Sequence, residues 1–200
     1  APILAEHGAA GTVFPLTDYM GLTNAFDKPF GAPELPLLSW DEVERLKRMG
    51  WDIQSHGRRH YPMVQLVRGV LEDELGASKA LLELRLGDPV RFFCYPYGAF
   101  EPATIAAVQR AGYAGALTCW SGRLPGADTD TADWFRLRRT LIDGLMSIGD
   151  FAAIFTPGYL RLTGWDDARR RRSGRDLECP FDELADLAGL GVFLQQPVEA

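Results

Sequence analysis

Two hundred residues, 46% hydrophobic and 24% charged, suit one domain with a sizeable core. A formal net charge of −6 argues against a nucleic-acid partner, and no apolar run reaches transmembrane length. Cys94, Cys119 and Cys179 are odd in number and far apart, which excludes both a Cys-x-x-Cys metal signature and a disulfide framework.

Pro2 to His7 reads as the end of a helix closed by Gly8, with His7 solvated at its end. The chain starts without Met and inside an element. We therefore expect an amino-terminal segment ahead of Ala1, and cytoplasmic, periplasmic and secreted locations all stay open. Gly11 to Thr17 is a β-rich apolar run and the first complete strand. Residues 18–37 are rich in Gly, Pro and aromatics and have no period; a connection this long in a compact domain is often functional. Ser39-Trp40-Asp41-Glu42 is a capping box that opens a helix to about Met49, stopped by Gly50.

Trp51 to Ser55 is the next strand, and His56 follows it. Val64 to Leu86 carries Val67, Leu71, Leu75, Leu82 and Leu86 at helical spacing; Gly76 weakens this helix and Gly87 ends it. Val90 to Tyr95 is a strand, and Pro96-Tyr97-Gly98 turns the chain out of it. Pro102 opens a helix to Ala111, closed by Gly112. Tyr113 to Cys119 and Phe135 to Ile142 are further strands. Arg169 to Arg172 reads as a solvated face or loop, and Phe181, Leu184 and Leu187 mark a short amphipathic helix behind Pro180. Gly191 to Gln195 closes the chain as a final strand. Alternating strands and helices predict an α/β fold, a parallel sheet with helices outside, in one domain over residues 1–200.

Two of the three histidines stand at 56 and 60. If residues 56–60 wind into one helical turn, both imidazoles share a face and can grip one divalent metal, for which neutral imidazole is a good ligand. The same pair fits turn histidines without a metal. Its place after a strand favours chemistry, because α/β barrels carry their sites at the carboxyl ends of strands.

Together the residues resemble the polysaccharide deacetylases, the NodB-like carbohydrate esterases. Ser55-His56-Gly57-Arg58-Arg59-His60 resembles that family's two-histidine metal motif. Phe93-Cys94-Tyr95-Pro96-Tyr97-Gly98 resembles its Pro-Tyr-Gly motif. Pro2-Ile3-Leu4 with Gly11-Thr12-Val13-Phe14, Leu38 to Glu42 leading into Gly50 to Ile53, and Ala111-Gly112-Tyr113 resemble the flanking stretches. The likeness covers Ala1 to Ile142 and leaves residues 143–200 unassigned.

The resemblance implies a deformed (β/α) barrel of the NodB type, incomplete at the amino terminus. It implies removal of acetyl groups from amino-sugar or sugar-ester units of an acetylated polysaccharide or oligosaccharide, with a divalent metal, zinc first. His56 and His60 would be metal ligands. Tyr97 would offer its backbone amide to the oxyanion, and Pro96, Tyr97 and Gly98 would border the substrate. As a residue, Tyr97 also fits a packing aromatic in a Pro-containing turn. The alternative is a noncatalytic sugar- or metal-binding relative on the same fold.

The departures are specific. The family's Thr-Phe-Asp-Asp-Gly, source of the general base and third ligand, is absent and is expected upstream of Ala1. Asp166-Asp167 lies in a late polar stretch and does not fit it. Gly57 stands where the family carries Ser or Thr, and Cys94 where it carries Arg; Arg91 would point to the other face of its strand. Asp130-Thr131-Ala132-Asp133-Trp134 matches a further motif formally, and equally by chance. No histidine follows His60, and Arg139 reads as a solvent-facing charge.

Overall fold

The computed structural model describes residues 1–119, 133–140, 142 and 146–156. Asp166-Asp167, the arginine run at 169–172, the helix behind Pro180 and the strand at 191–195 lie outside the described residues, as do Asp130, Thr131 and Ala132. The described elements are α1 (Pro2–Glu6), β1 (Thr12–Val13), α2 (Trp40–Arg48), β2 (Asp52–Ile53), α3 (Arg68–Leu86), β3 (Phe92–Cys94), α4 (Pro102–Arg110), β4 (Gly115–Leu117) and α5 (Ile148–Ile154).

All pairings between these strands are parallel. β1 pairs β2 with Thr12 opposite Asp52 and Val13 opposite Ile53. Ser55 bridges Phe93, β3 pairs β4, and Leu117 bridges Leu137. The spatial order is therefore the chain order, with α2, α3 and α4 as the crossovers that parallel neighbours require. The strands are shorter than their apolar runs. Pro15 has no N–H to return to the Gln54 carbonyl, so the β1–β2 ladder stops early. The pairing persists only as carbonyl acceptance, with His56 N–H donating to Pro15 at 3.2 Å. Among the described residues, the expected strand from Phe135 reduces to one bridge at Leu137, flanked by Ala116 N–H to the Trp134 carbonyl at 2.8 Å.

α2 starts where its capping box places it. Ser39 Oγ accepts from Glu42 N–H at 3.3 Å, and the Glu42 carboxylate accepts from Ser39 N–H at 2.8 Å. α3 begins later than its apolar spacing suggested. Met63–Gln65 forms a separate 3-10 turn, and Val67 is an extended N-cap, 64% exposed, rather than part of the apolar face. Leu71, Leu75, Leu82 and Leu86 do form the buried stripe, packed against Val90, Phe93, Tyr95, Val108 and Tyr113. Gln54 is buried and completes the sheet in place of backbone: its Oε1 accepts from the N–H groups of Arg91 (2.8 Å) and Phe92 (2.7 Å). Among the described residues no helix is long and apolar enough to cross a membrane.

Candidate functional site

His56 lies just beyond the Ser55 bridge, at the carboxyl end of the β2 segment. The loop that follows is not the helical turn its spacing allowed. Gly57 has φ 85° and His60 φ 61°, so the chain reverses through left-handed conformations instead. The organiser of this loop is Glu74, a fully buried carboxylate on α3. It accepts from Arg58 N–H at 2.8 Å, Arg59 N–H at 3.1 Å and Arg59 Nε–H at 2.7 Å. Ser55 Oγ accepts from Gly57 N–H at 3.2 Å and shares a hydrogen bond with Ser78 Oγ at 3.0 Å. Arg58 also pairs with Asp18 at 3.0 Å and with Asp73, so both arginines clamp the loop.

Gly57 now has a physical reason. A Cβ there would meet the Met63 methyl at 3.2 Å and Glu74 Oε2 at 3.4 Å, at a φ that L-residues disfavour. A Ser or Thr would be strained over this buried carboxylate. The sequence carried a signal for Glu74 and Ser78: both fall on the stripe of Leu71, Leu75 and Leu82, where buried polar groups demand partners.

The two imidazoles meet, with ring centroids 4.9 Å apart and planes at 62°. His56 Nδ1 lies 2.6 Å from the Cys94 carbonyl. A carbonyl only accepts, so Nδ1 carries the proton and Nε2 presents its lone pair. The Nδ1 of His60 is buried with no hydrogen-bond partner among the described residues. Its ring is packed by Phe26 at 4.6 Å and Tyr97 at 4.3 Å between centroids.

Burial drives the His56 pKa down from 6.5 to about 4; the Cys94 carbonyl opposes this and the Arg139 charge adds to it. Burial, and then the proximity of His56, drives His60 down to about 3. Both rings are therefore neutral at pH 7, the state a metal ligand needs. Two neutral imidazoles, one with its tautomer fixed by a carbonyl and one with a buried nitrogen lacking a partner, fit two positions of a divalent metal site. Among the described residues, no group of three or more His, Cys, Asp or Glu side chains converges to complete it.

Pro96–Gly98 forms a 3-10 turn with Tyr97 at φ 56°, ψ 7°. Among the described residues Tyr97 and His60 are the two non-glycines with positive φ, and they touch. Strained backbone of this kind persists only where the surroundings over-determine it. Here Gly98 is wedged so closely on Cys119 that an added Cβ would stand 2.8 Å from the Cys119 Cβ. Pro96 and Gly98 are buried and Tyr97 is half-buried.

The Cys94 thiol is buried and pushed up to about 12 by that burial, so it stays protonated at pH 7, while its carbonyl meets the His56 ring. Arg139, read from the sequence as solvent-facing, keeps its exposure but turns its guanidinium inward. Nε–H donates to the Thr118 carbonyl at 2.8 Å and Nη2 to Cys119 Sγ at 3.3 Å. Arg91 and Trp134 are exposed.

A cleft of about 380 Å³ opens beside the histidines. Residues 13–16 and 35–38, with Met20 and Phe26, wall it; His56, His60, Asn24 and Asp27 are its titratable or amide side chains. The long connection at 18–37 builds much of this wall. It folds back on itself through a Thr23–Pro36 bridge, Asn24 N–H to the Leu35 carbonyl at 3.1 Å, and Leu35 N–H to Asn24 Oδ1 at 2.6 Å.

A family model described as polysaccharide deacetylase matches residues 1–116. YxkH of Bacillus subtilis (strain 168), provisionally named a polysaccharide deacetylase, is 22% identical over 152 residues, which are 76% of this chain and 49% of that protein. The chain thus spans about half the length of the curated relative it matches. The Streptococcus pyogenes deacetylase PplD, solved in complex with acetate, aligns with a TM-score of 0.63 at 22% identity, covering 78% of this chain and 63% of that chain. IcaB from Ammonifex degensii aligns with a TM-score of 0.59 at 20% identity, covering 76% and 64%. At these identities the likeness establishes the fold: the deformed (β/α) barrel of NodB-type deacetylases.

Proposed function

Because the chain belongs to the polysaccharide deacetylase family, we propose that it is a metal-dependent hydrolase removing acetyl groups from amino-sugar or sugar-ester units of a polysaccharide. The observation that carries this reading is the His56–His60 pair: neutral, in ring contact and bordering an open cleft. A divalent metal, zinc first, would supply polarisation of the acetyl carbonyl and activation of a water.

The chain's own residues prepare that chemistry. The Cys94 carbonyl holds His56 by Nδ1, which leaves Nε2 as the atom that would ligate. Glu74 fixes the loop that brings His60 alongside. The strained Pro96–Gly98 turn sets Tyr97 against His60, where its backbone amide would donate to the oxyanion of the tetrahedral intermediate. Pro96, Tyr97 and Gly98 would border the substrate. An acetylated sugar would occupy the cleft.

Two histidines are one short of the three protein ligands usual in catalytic zinc sites. Residues 1–156 contain no Asp-Asp pair to act as ligand and base, so the 200-residue chain alone is expected to release acetate weakly. The test compares the full-length protein with its His56→Ala/His60→Ala variant, measuring bound metal by elemental analysis and acetate released from acetylated oligosaccharides. Joint loss of metal and acetate release supports the reading. Metal uptake by the unaltered protein without acetate release identifies a noncatalytic relative instead. Absence of both refutes it.

A further inference from the structure

The cleft beside the histidines holds one charged side chain that the proposed chemistry leaves unused, Asp27. It sits in the 3-10 turn Ala25–Phe30, half-buried and held in place. Its backbone N–H donates to the Asn24 carbonyl at 2.9 Å, and Asn24 Nδ2 donates to its Oδ2 at 3.3 Å. Asn24 is itself fixed, with Nδ2 also on the Pro33 carbonyl at 3.2 Å and Oδ1 taken by Leu35 N–H. No cation pairs with Asp27 among the described residues; the adjacent Lys28 turns to Glu34 instead.

A carboxylate in such a place is costly. The cleft that Asp27 lines is otherwise walled by apolar side chains such as Val13, Leu16, Met20, Leu35 and Leu37, and partial burial pushes the Asp27 carboxyl above the ordinary range, with the Asn24 bond offsetting part of the rise. An ionised group in apolar surroundings requires donors. An apolar ligand would leave it unpaired, and an anionic ligand would be repelled. The neighbouring Phe26 ring lies on His60 at 4.6 Å and meets Tyr19 edge-on at 4.9 Å, so aromatic carbon lines the same cleft as the carboxylate and the imidazoles. A pyranose ring has that pair of features, an apolar C–H face and a rim of hydroxyl donors.

We propose that Asp27 is a substrate-binding residue, its carboxylate accepting hydrogen bonds from the hydroxyls of the sugar unit whose acetyl group faces His56 and His60. The inference rests on the deacetylase reading of this site and names the part of the substrate it grips. Charge-assisted bonds from hydroxyls restore what burial removes, and they orient the ring relative to the histidines.

The experiment uses the full-length protein and its Asp27→Ala and Asp27→Asn variants with two probes. One is tetra-N-acetylchitotetraose, read both as acetate release and as direct binding by calorimetry. The other is para-nitrophenyl acetate, an acyl donor without a sugar. Loss of one charge-assisted contact should raise KM and Kd for the tetramer about 10–100-fold in Asp27→Ala. Asp27→Asn keeps one acceptor oxygen and should recover part of that, while turnover of the aryl ester stays unchanged in both. Equal loss on both probes would make Asp27 merely structural and overturn the proposal, as would an unchanged KM and Kd. If the unaltered protein binds the tetramer without releasing acetate, and Asp27→Ala loses the binding, the deacetylase reading falls and this inference stands. If the unaltered protein and Asp27→Ala release acetate from the tetramer with the same KM, this inference alone falls. If the unaltered protein neither binds nor cleaves, both fall.

Discussion

Replacing Glu74 by Gln keeps the side chain's volume and removes its charge. The carboxylate accepts three hydrogen bonds from the histidine loop, two from backbone N–H groups and one from the Arg59 guanidinium. The amide oxygen can replace only the carboxylate oxygen that holds the two backbone N–H groups, leaving the amide NH2 facing the Arg59 Nε–H donor. A bond to a charged acceptor contributes about 1.5–3 kcal/mol against about 0.5–1.5 kcal/mol for a neutral one, so two weakened bonds and one lost bond together cost about 3 kcal/mol. The Arg59 side chain is 28% exposed, so water screens its share. About 2–3 kcal/mol remains, a large part of the ~5–15 kcal/mol that holds a domain together.

The assay is urea unfolding of the metal-free protein, read as a fall in midpoint at constant slope. Zinc affinity is measured in parallel, because His60 keeps its left-handed conformation only while the loop is held. Leu82→Ala serves as the control: it removes a fully buried side chain from the same helix, on the core stripe rather than at the loop, and should cost ~2–5 kcal/mol. Under conditions where both variants stay folded, Glu74→Gln should weaken zinc binding and Leu82→Ala should not. A stability loss under about 1 kcal/mol, or equal zinc affinity in the two variants, would refute the role given to Glu74.

Two further outcomes follow from the protonation states. His56 and His60 titrate at 6.5 in the unfolded chain but near 4 and 3 when folded, so between these values the unfolded state binds more protons and stability rises with pH. Their contribution is therefore fully present above pH 6.5 and lost as pH falls, to about 4 for His56 and about 3 for His60. At pH 5 each histidine accounts for up to about 2 kcal/mol, and urea unfolding of metal-free protein at pH 7 and pH 5 should show a smaller drop in His60→Ala than in the unaltered protein. Identical pH dependence would contradict the burial of His60. Among the described cysteines, Cys119 is the accessible thiol and Cys94 the buried one with its pKa raised to about 12. Iodoacetamide at pH 8 followed by peptide mass mapping should therefore label Cys119 and spare Cys94 until the chain unfolds, and equal labelling would count against the buried site.

The order of strands and helices was written in neighbouring residues. The Ser39–Glu42 box, Gly50, Gly87 and Pro102 act through bonds and sterics within a turn, so they specify helix ends without knowledge of the rest of the chain. The position of His56 at the end of a strand was legible for the same reason. The length of that strand was not. Pro15 shortens it only because Gln54 is its partner, and partners are assigned by the sheet.

The conformation of the histidine loop depended on Glu74, a residue on another element whose burial α3 dictates. The tautomer of His56 depended on the Cys94 carbonyl, a main-chain atom that every residue carries and that leaves no mark in a sequence. The inward turn of Arg139 depended on the carbonyl of Thr118 across the sheet. Local propensity thus fixed where the histidines stand along the chain. Long-range burial fixed which His56 nitrogen meets the Cys94 carbonyl, what holds the loop, and which carboxylate lines the cleft with the histidines, because those partners become neighbours only when the strands pair.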